Sequence, residues 1–159
     1  MKEVFGDIWD YHEKGNWIVI TTNGTVKSNR ECVMGRGIAL QAKLKYPQLP
    51  LLLGKKIKEY GNFPHIFWGL GLISFPVKHH WMDKADPVLI STSCMTLFTG
   101  VTHLLQLHYS STPDDSWDGS IYMVRPGCGN GGLLWKDVKP ILEEYLDDRF
   151  IVVEKGTGK

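Results

Sequence analysis

Apolar residues along the chain fall into two kinds of run, punctuated by glycine, proline and asparagine. "NWIVITTNG", residues 16–24, holds an unbroken β-branched stretch and ends in turn chemistry, which predicts a buried strand. "GIALQAKLKY" (37–46) reads as a helix stopped by Pro47, and "PLLLGKKIKEYGN" (50–62) as a second, with Pro50 near its start and Gly61 near its C-cap. "HIFWGLGLISFP" (65–76) supplies one or two strands. Pro87 to about His108 has apolar residues at helical spacing despite its β-branched content. "STPDDSWDGS" (111–120) is a solvated loop, "IYMVRPG" (121–127) a strand, "LWKDVKPILEEYLDD" (134–148) a helix and "FIVVEK" (150–155) a closing strand. This order predicts an α/β domain, with helices on both faces of a largely parallel or mixed sheet. No internal repeat or linker interrupts it, so residues 1–159 read as one domain.

Composition narrows this picture. A chain of 159 residues, 43% hydrophobic and 22% charged, suits a soluble globular domain large enough to bury a core. A net charge of +1 offers no electrostatic argument for a broad nucleic-acid footprint. Cys32, Cys94 and Cys128 are widely spaced and form no CxxC pair, so neither a disulfide framework nor a structural zinc site is expected. No metal is expected elsewhere, since His103 and His108 lie five apart on a helix and do not share a face. The segment "MKEVFGDIWDYHEKG" is acidic and aromatic, unlike a signal peptide, and no apolar run approaches bilayer-crossing length. The expectation is a cytoplasmic, reducing environment, no membrane, and a monomer.

The glycines cluster where such a sheet would bind a ligand, at the carboxyl ends of its strands. "TTNG" and "VMGRG" lie between the first strong strand and its helix; "GCGNGG" lies between the "IYMVRP" strand and the last helix. Glycines before a helix let the backbone approach a ligand, and the free N–H groups and dipole there suit a phosphate. An ordinary loop-to-helix turn would look the same. Neither cluster has Walker spacing or GxGxxG with a downstream acid, which disfavours a standard nucleotidase or dehydrogenase. Two such loops could clamp an extended, phosphate-bearing ligand between them.

In order along nearly the whole chain, "GDI" (6–8), "VITTN" (19–23), "VMGRGIALQAKLKYP" (33–47), "FPVKHHW" (75–81) and "PGCGNGGLLWKDVKP" (126–140) resemble the macrodomain family. The likeness is to the branch holding the terminal ADP-ribose protein glycohydrolase, the antitoxins that remove ADP-ribose from thymidine in DNA, and the yeast-type ADP-ribose-1''-phosphate phosphatases. It implies a three-layer α/β/α sandwich with a mixed central sheet. It also implies binding of ADP-ribose, free or attached to single-stranded DNA or protein, with no cofactor. By the same resemblance Asp7 meets the adenine amino group with Ile8 beside it, and Asn23 meets the distal ribose. Met34, Gly35, Arg36, Gly37, Ile38 and Ala39 form the loop and helix start by the diphosphate. Pro126, Gly127, Cys128, Gly129, Asn130, Gly131, Gly132 and Leu133 close over the phosphates and distal ribose. Each has an ordinary alternative: Asp7 as a helix cap, Asn23 as a turn residue, Arg36 as a solvated side chain.

The resemblance places Lys78 beside the anomeric carbon of the distal ribose, as catalytic residue. An unprotonated lysine can attack such a carbon and hold the sugar as a Schiff base until water releases it. His79 and His80 adjoin it, and His80, in the motif's His-Trp pair, is the candidate for moving a proton. Trp81 would wall the site or anchor the loop. The protein-directed glycohydrolase carries an aspartate in the second glycine loop that "GCGNGG" lacks, as do the DNA-directed antitoxins. The 24–32 segment is longer than the antitoxin loop, and Lys27, Asn29 and Arg30 there would meet the macromolecule or simply be solvated. The expected activity is hydrolysis of the bond between ADP-ribose and a modified macromolecule. A phosphatase acting on ADP-ribose-1''-phosphate and a reader without turnover are the alternatives.

Overall fold

A computed structural model describes residues 1–111 and 117–156. Strand β2 (Trp17–Asn23) explains its own unbroken apolar run: Trp17 and Val19 join one core cluster, Ile18 and Ile20 the other. A strand covered on both faces has no polar alternation to show. Around it lies a six-stranded sheet in which β1 (Lys2–Phe5), β6 (Phe150–Glu154), β5 (Ile121–Met123), β2, β4 (Leu72–Lys78) and β3 (His65–Phe67) follow in that spatial order. All neighbours pair in parallel except β3 with β4, so the sheet is mixed.

On one face pack α1 (Ile8–Glu13), α2 (Gly37–Lys45) and α3 (Leu49–Tyr60), whose Ile8, Ala39, Ala42 and Leu53 close over Ile18, Ile20, Leu72 and Val153. On the other, α4 (Pro87–Thr96), α5 (Thr102–Ser110) and α6 (Trp135–Tyr145) bring Ile90, Leu105, Val138 and Leu142 onto Val19, Phe75, Ile121 and Phe150. The result is the expected three-layer α/β/α sandwich.

Several boundaries differ from the sequence reading. β1 and α1 were unmarked there, because β1 is four residues long and mostly exposed; its strand pairing comes from β6, not from its own pattern. "HIFWGLGLISFP" resolves into two strands joined by a turn at Trp68–Gly71. α4, a π-helical turn at Leu97–Val101 and α5 form one continuous helix. Within it the Thr92 and Thr99 hydroxyls donate one turn back to the carbonyls of Val88 and Met95. This helix corrects the expectation about apolar length: Pro87–Ser110 is 24 residues with mean hydropathy 1.5, long and apolar enough to cross a bilayer. Here its Ile90, Cys94, Leu97, Val101 and Leu105 stripe is fully buried on the sheet. In the expected solvated loop, 112–116 lie outside the described residues. Trp117 is partly buried against the core, and its indole N–H donates to Ser120 O at 2.9 Å.

Candidate functional site

Five parallel strands end on the same edge, and one cleft of about 1620 Å³ opens there. Its walls come from 6–9 after β1, the end of β2 and residues 33–39, Val77, Lys78 and 81–84 after β4, the loop after β5, and 153–155 at the end of β6. Of the residues assigned from the sequence to ADP-ribose or to catalysis, all line it except His80 and Pro126; of the others singled out, Lys27 and Trp81 line it, and Asn29, Arg30 and His79 do not.

Asp7 serves in two capacities. As N-cap of α1 its Oδ1 accepts from Trp9 N–H at 3.0 Å, while the residue also forms part of the cleft wall. Asn23 lines the cleft too, but its amide is occupied: Nδ2 donates to Val33 O at 2.9 Å and Oδ1 accepts from Thr25 N–H at 3.0 Å. It thereby ties together both ends of the 24–32 excursion. That excursion is folded, with an antiparallel bridge between Val26 and Cys32 and a hydrogen bond from Lys27 N–H to Glu31 O at 2.8 Å.

In the first glycine loop Met34, Ile38 and Ala39 are buried and form its apolar backing, while Gly35, Arg36 and Gly37 are exposed. Arg36 is the N-cap of α2 and supplies no side-chain cap, so the helix leaves its first-turn N–H groups without one. The second loop is folded on itself: Leu133 N–H donates to Gly127 O at 2.9 Å, and Ala85 N–H donates to Gly131 O at 2.9 Å. Gly127 has φ +74° and Gly132 φ +75°, a region side chains disfavour. Cys128 Sγ rests against Pro126 O at 3.5 Å and burial raises its thiol pKa, which suits packing rather than nucleophilic work.

Lys78 closes β4 at a register shift: Thr22 pairs with Pro76, but Asn23 pairs with Lys78. The extra residue, Val77, turns its carbonyl to Asp86 N–H at 2.8 Å. Such a bulge re-aims the side chain that follows. The Lys78 carbonyl accepts from Gly24 N–H and Asn62 Nδ2, each at 3.1 Å, so its backbone is held from both sides. Its Nζ donates to Trp81 O and Asn130 O, each at 3.4 Å, bridging the β4 loop and the second glycine loop.

The two histidines face elsewhere. His79 is exposed and pairs through Nε2 with Asp86 Oδ2 at 3.0 Å, and this contact holds the Asp86 carboxyl below its usual range. His80 is exposed and its Nδ1 accepts from Met82 N–H at 3.2 Å, closing the turn outside the cleft wall. Trp81 stands at the mouth, 45% exposed, with its N–H donating to Thr25 Oγ1 at 3.0 Å.

Sequence reasoning missed the support beneath the second loop. Arg125 pairs with Glu154 at 2.7 Å and lies 5.0 Å over the Trp135 ring. Glu3 accepts from Trp135 Nε1 at 2.9 Å and pairs with Lys139 at 2.7 Å, and the Lys139 contact lowers its carboxyl pKa. The available signal was a charged residue, Arg125, at a strand end directly before a glycine loop. Among the described residues no group of three or more His, Cys, Asp and Glu side chains could hold a metal ion.

No protein-family profile matches the chain. Over 116 residues it is 29% identical to the DNA ADP-ribosyl glycohydrolases of Mycobacterium tuberculosis and Mycobacterium bovis. That alignment covers 67% of this chain and 30% of those proteins, so the chain spans less than a third of the curated relatives it matches. Thermosipho africanus DarTG in complex with ADP-ribose superposes with a TM-score of 0.68 at 18% identity, over 91% of this chain and 39% of that one. The macrodomain of Thermus aquaticus DarG superposes with a TM-score of 0.68 at 23% identity, over 98% and 97% of the two chains. The macrodomain of Mycobacterium tuberculosis DarG gives 0.64 at 22% identity, over 89% and 90%. Sheet order, paired glycine loops and these superpositions agree, and the chain has the macrodomain fold.

Proposed function

We propose that the cleft binds ADP-ribose and that Lys78 hydrolyses the bond joining its distal ribose to a modified macromolecule, a nucleic acid in the first instance. The observation that carries this reading is the placement of Lys78. A bulge and two backbone hydrogen bonds fix it, and its amine spans the gap to the second glycine loop. Asp7 and Ile8 would receive the adenine, the uncapped start of α2 the diphosphate, and the Asn130 side of the second loop the distal ribose. The likeness to proteins named DNA ADP-ribosyl glycohydrolase, and to a structure holding ADP-ribose, supports the choice of ligand.

In the step itself the Lys78 lone pair forms a bond to the anomeric carbon. The bond from that carbon to the macromolecule breaks, and the departing group takes the bonding pair and one of the two protons of the attacking amine. Ring opening moves the amine's proton to the ring oxygen and gives a Schiff base. Water then adds to the C=N bond, freeing ADP-ribose and the lysine. The glycine loops hold the sugar near the amine, which supplies the positioning share of the barrier reduction.

Incubation with ADP-ribosylated single-stranded DNA, ADP-ribosylated glutamyl protein and ADP-ribose-1''-phosphate tests the reading. Release of ADP-ribose from the DNA is the expected result. Consumption of the 1''-phosphate alone would make the protein a phosphatase, and no consumption would make it a reader. Because His80 stands outside the cleft wall, His80→Ala is expected to leave turnover of the DNA substrate within about threefold of wild type. A loss of about 100-fold would mark it as a proton donor, in the range general acid–base catalysis supplies.

A further inference from the structure

Charge is distributed unevenly over this fold. Residues 24–60 hold eight lysines and arginines against two carboxylates, while the whole chain is net +1, so the remainder is net negative. That segment comprises the 24–32 excursion, α2 and α3. The excursion is seated on α3 by Cys32 N–H, which donates to Pro50 O at 2.9 Å. The Arg30 carbonyl also lies so close to Gly54 that a Cβ added there would stand 2.1 Å from it. Lys55 follows Gly54, and Lys58 lies one helical turn beyond it on the same face.

Lys27, Arg30, Lys55 and Lys58 are all exposed, and among the described residues none belongs to an ion pair. Glu31, the carboxylate nearest in sequence to Arg30, accepts instead from Asn29 Nδ2 at 3.4 Å. At its other end the excursion reaches the cleft: Lys27 lines it, and Thr25 holds Trp81, whose carbonyl accepts from Lys78. Unpaired cations therefore continue from the Lys78 end of the cleft, over the excursion and onto α3.

We infer that this face carries the phosphate backbone of the single-stranded nucleic acid whose ADP-ribosylated nucleotide occupies the cleft. The inference rests on the reading of the cleft as a site for tethered ADP-ribose. Exposed cations without carboxylate partners gain most from a polyanion, and the net negative remainder of the surface confines such a strand to this side. The half-exposed indole of Trp81 at the mouth offers a stacking surface for a flanking base.

The test is fluorescence anisotropy with an unmodified single-stranded oligodeoxynucleotide of about 20 nucleotides, long enough to cover a groove and its flank. The triple variant Arg30→Gln/Lys55→Gln/Lys58→Gln should bind it about tenfold more weakly than wild type. Its log–log salt slope should be shallower by about 2, as expected for three lost phosphate contacts on a single strand. Free ADP-ribose affinity, measured by calorimetry, should be unchanged, which also verifies folding. The control Lys2→Gln/Lys14→Gln/Lys136→Gln removes the same charge elsewhere and should lose far less. Equal losses in the two triple variants, or no oligonucleotide binding by wild type, would overturn the inference. Tighter binding of a polyglutamate peptide than of the oligonucleotide would put an acidic protein in the strand's place and overturn it too. If wild type fails to bind free ADP-ribose, the cleft reading falls, and the tethered strand with it, even though bare oligonucleotide still binds.

Discussion

Lys78→Ala is expected to abolish turnover of ADP-ribosylated DNA, by about 10³-fold or more, while most of the affinity for free ADP-ribose survives. Removing a group that forms a covalent intermediate costs rate on that scale, because no neighbour can replace the bond it makes. Affinity should survive because, on the proposed reading, backbone groups of the two glycine loops and the start of α2 supply most contacts, and the second loop keeps its own bonds from Leu133 N–H to Gly127 O and from Ala85 N–H to Gly131 O without the lysine. The fold survives as well. Lys78 is held by its own carbonyl through Gly24 and Asn62, and truncation removes only two 3.4 Å contacts to the carbonyls of Trp81 and Asn130. Lys78→Arg should fail equally, since a guanidinium keeps its proton at any working pH and cannot attack. Borohydride added during turnover should trap ADP-ribose on wild type and not on Lys78→Ala. Near-normal turnover by Lys78→Arg would mean that the residue acts through charge alone.

What could be read from the sequence follows from which residues state their surroundings locally. The buried run of β2 and the glycines at strand ends carry their structural meaning in a few adjacent letters. They were enough to place the inner strands and both glycine loops that line the cleft. β1 carries no such signal: four mostly exposed residues become a strand through pairing with β6, about 150 positions away. The same holds for side-chain direction. Asn23 was legible as a site residue, but not its amide's commitment to Val33 and Thr25, which depends on how the excursion closes. His80 is assigned to the site from its place in the motif's His-Trp pair. The turn that bonds its Nδ1 to Met82 carries it outside instead. The basic face was hidden by a net charge of +1, because summing over the chain cancels what the fold separates.

The glycine loops offer the second large effect, and they separate ligand space from protein space. A Cβ built at Gly35 or at Gly129 meets no protein atom within 4 Å, and neither residue has a positive φ. Gly35→Val and Gly129→Val should therefore fold normally, with Tm within about 2 °C of wild type, a shift below 1 kcal/mol for a chain this size. Their isopropyl groups would occupy room that the diphosphate and distal ribose need. Overlap of that kind costs about 1–3 kcal/mol, or about 10–100-fold in ADP-ribose affinity by calorimetry. Gly131→Ala should behave in the opposite way. Its Cβ would stand 2.5 Å from Gly127 O and 2.7 Å from the Ala85 Cβ, a backbone and a short side chain that cannot swing aside. The loop must shift, and a Tm loss of about 3–10 °C is expected from overpacking on that scale. Undiminished ADP-ribose affinity in both valine variants would mean that the phosphates do not pass between these loops, and the two-loop clamp would have to be abandoned.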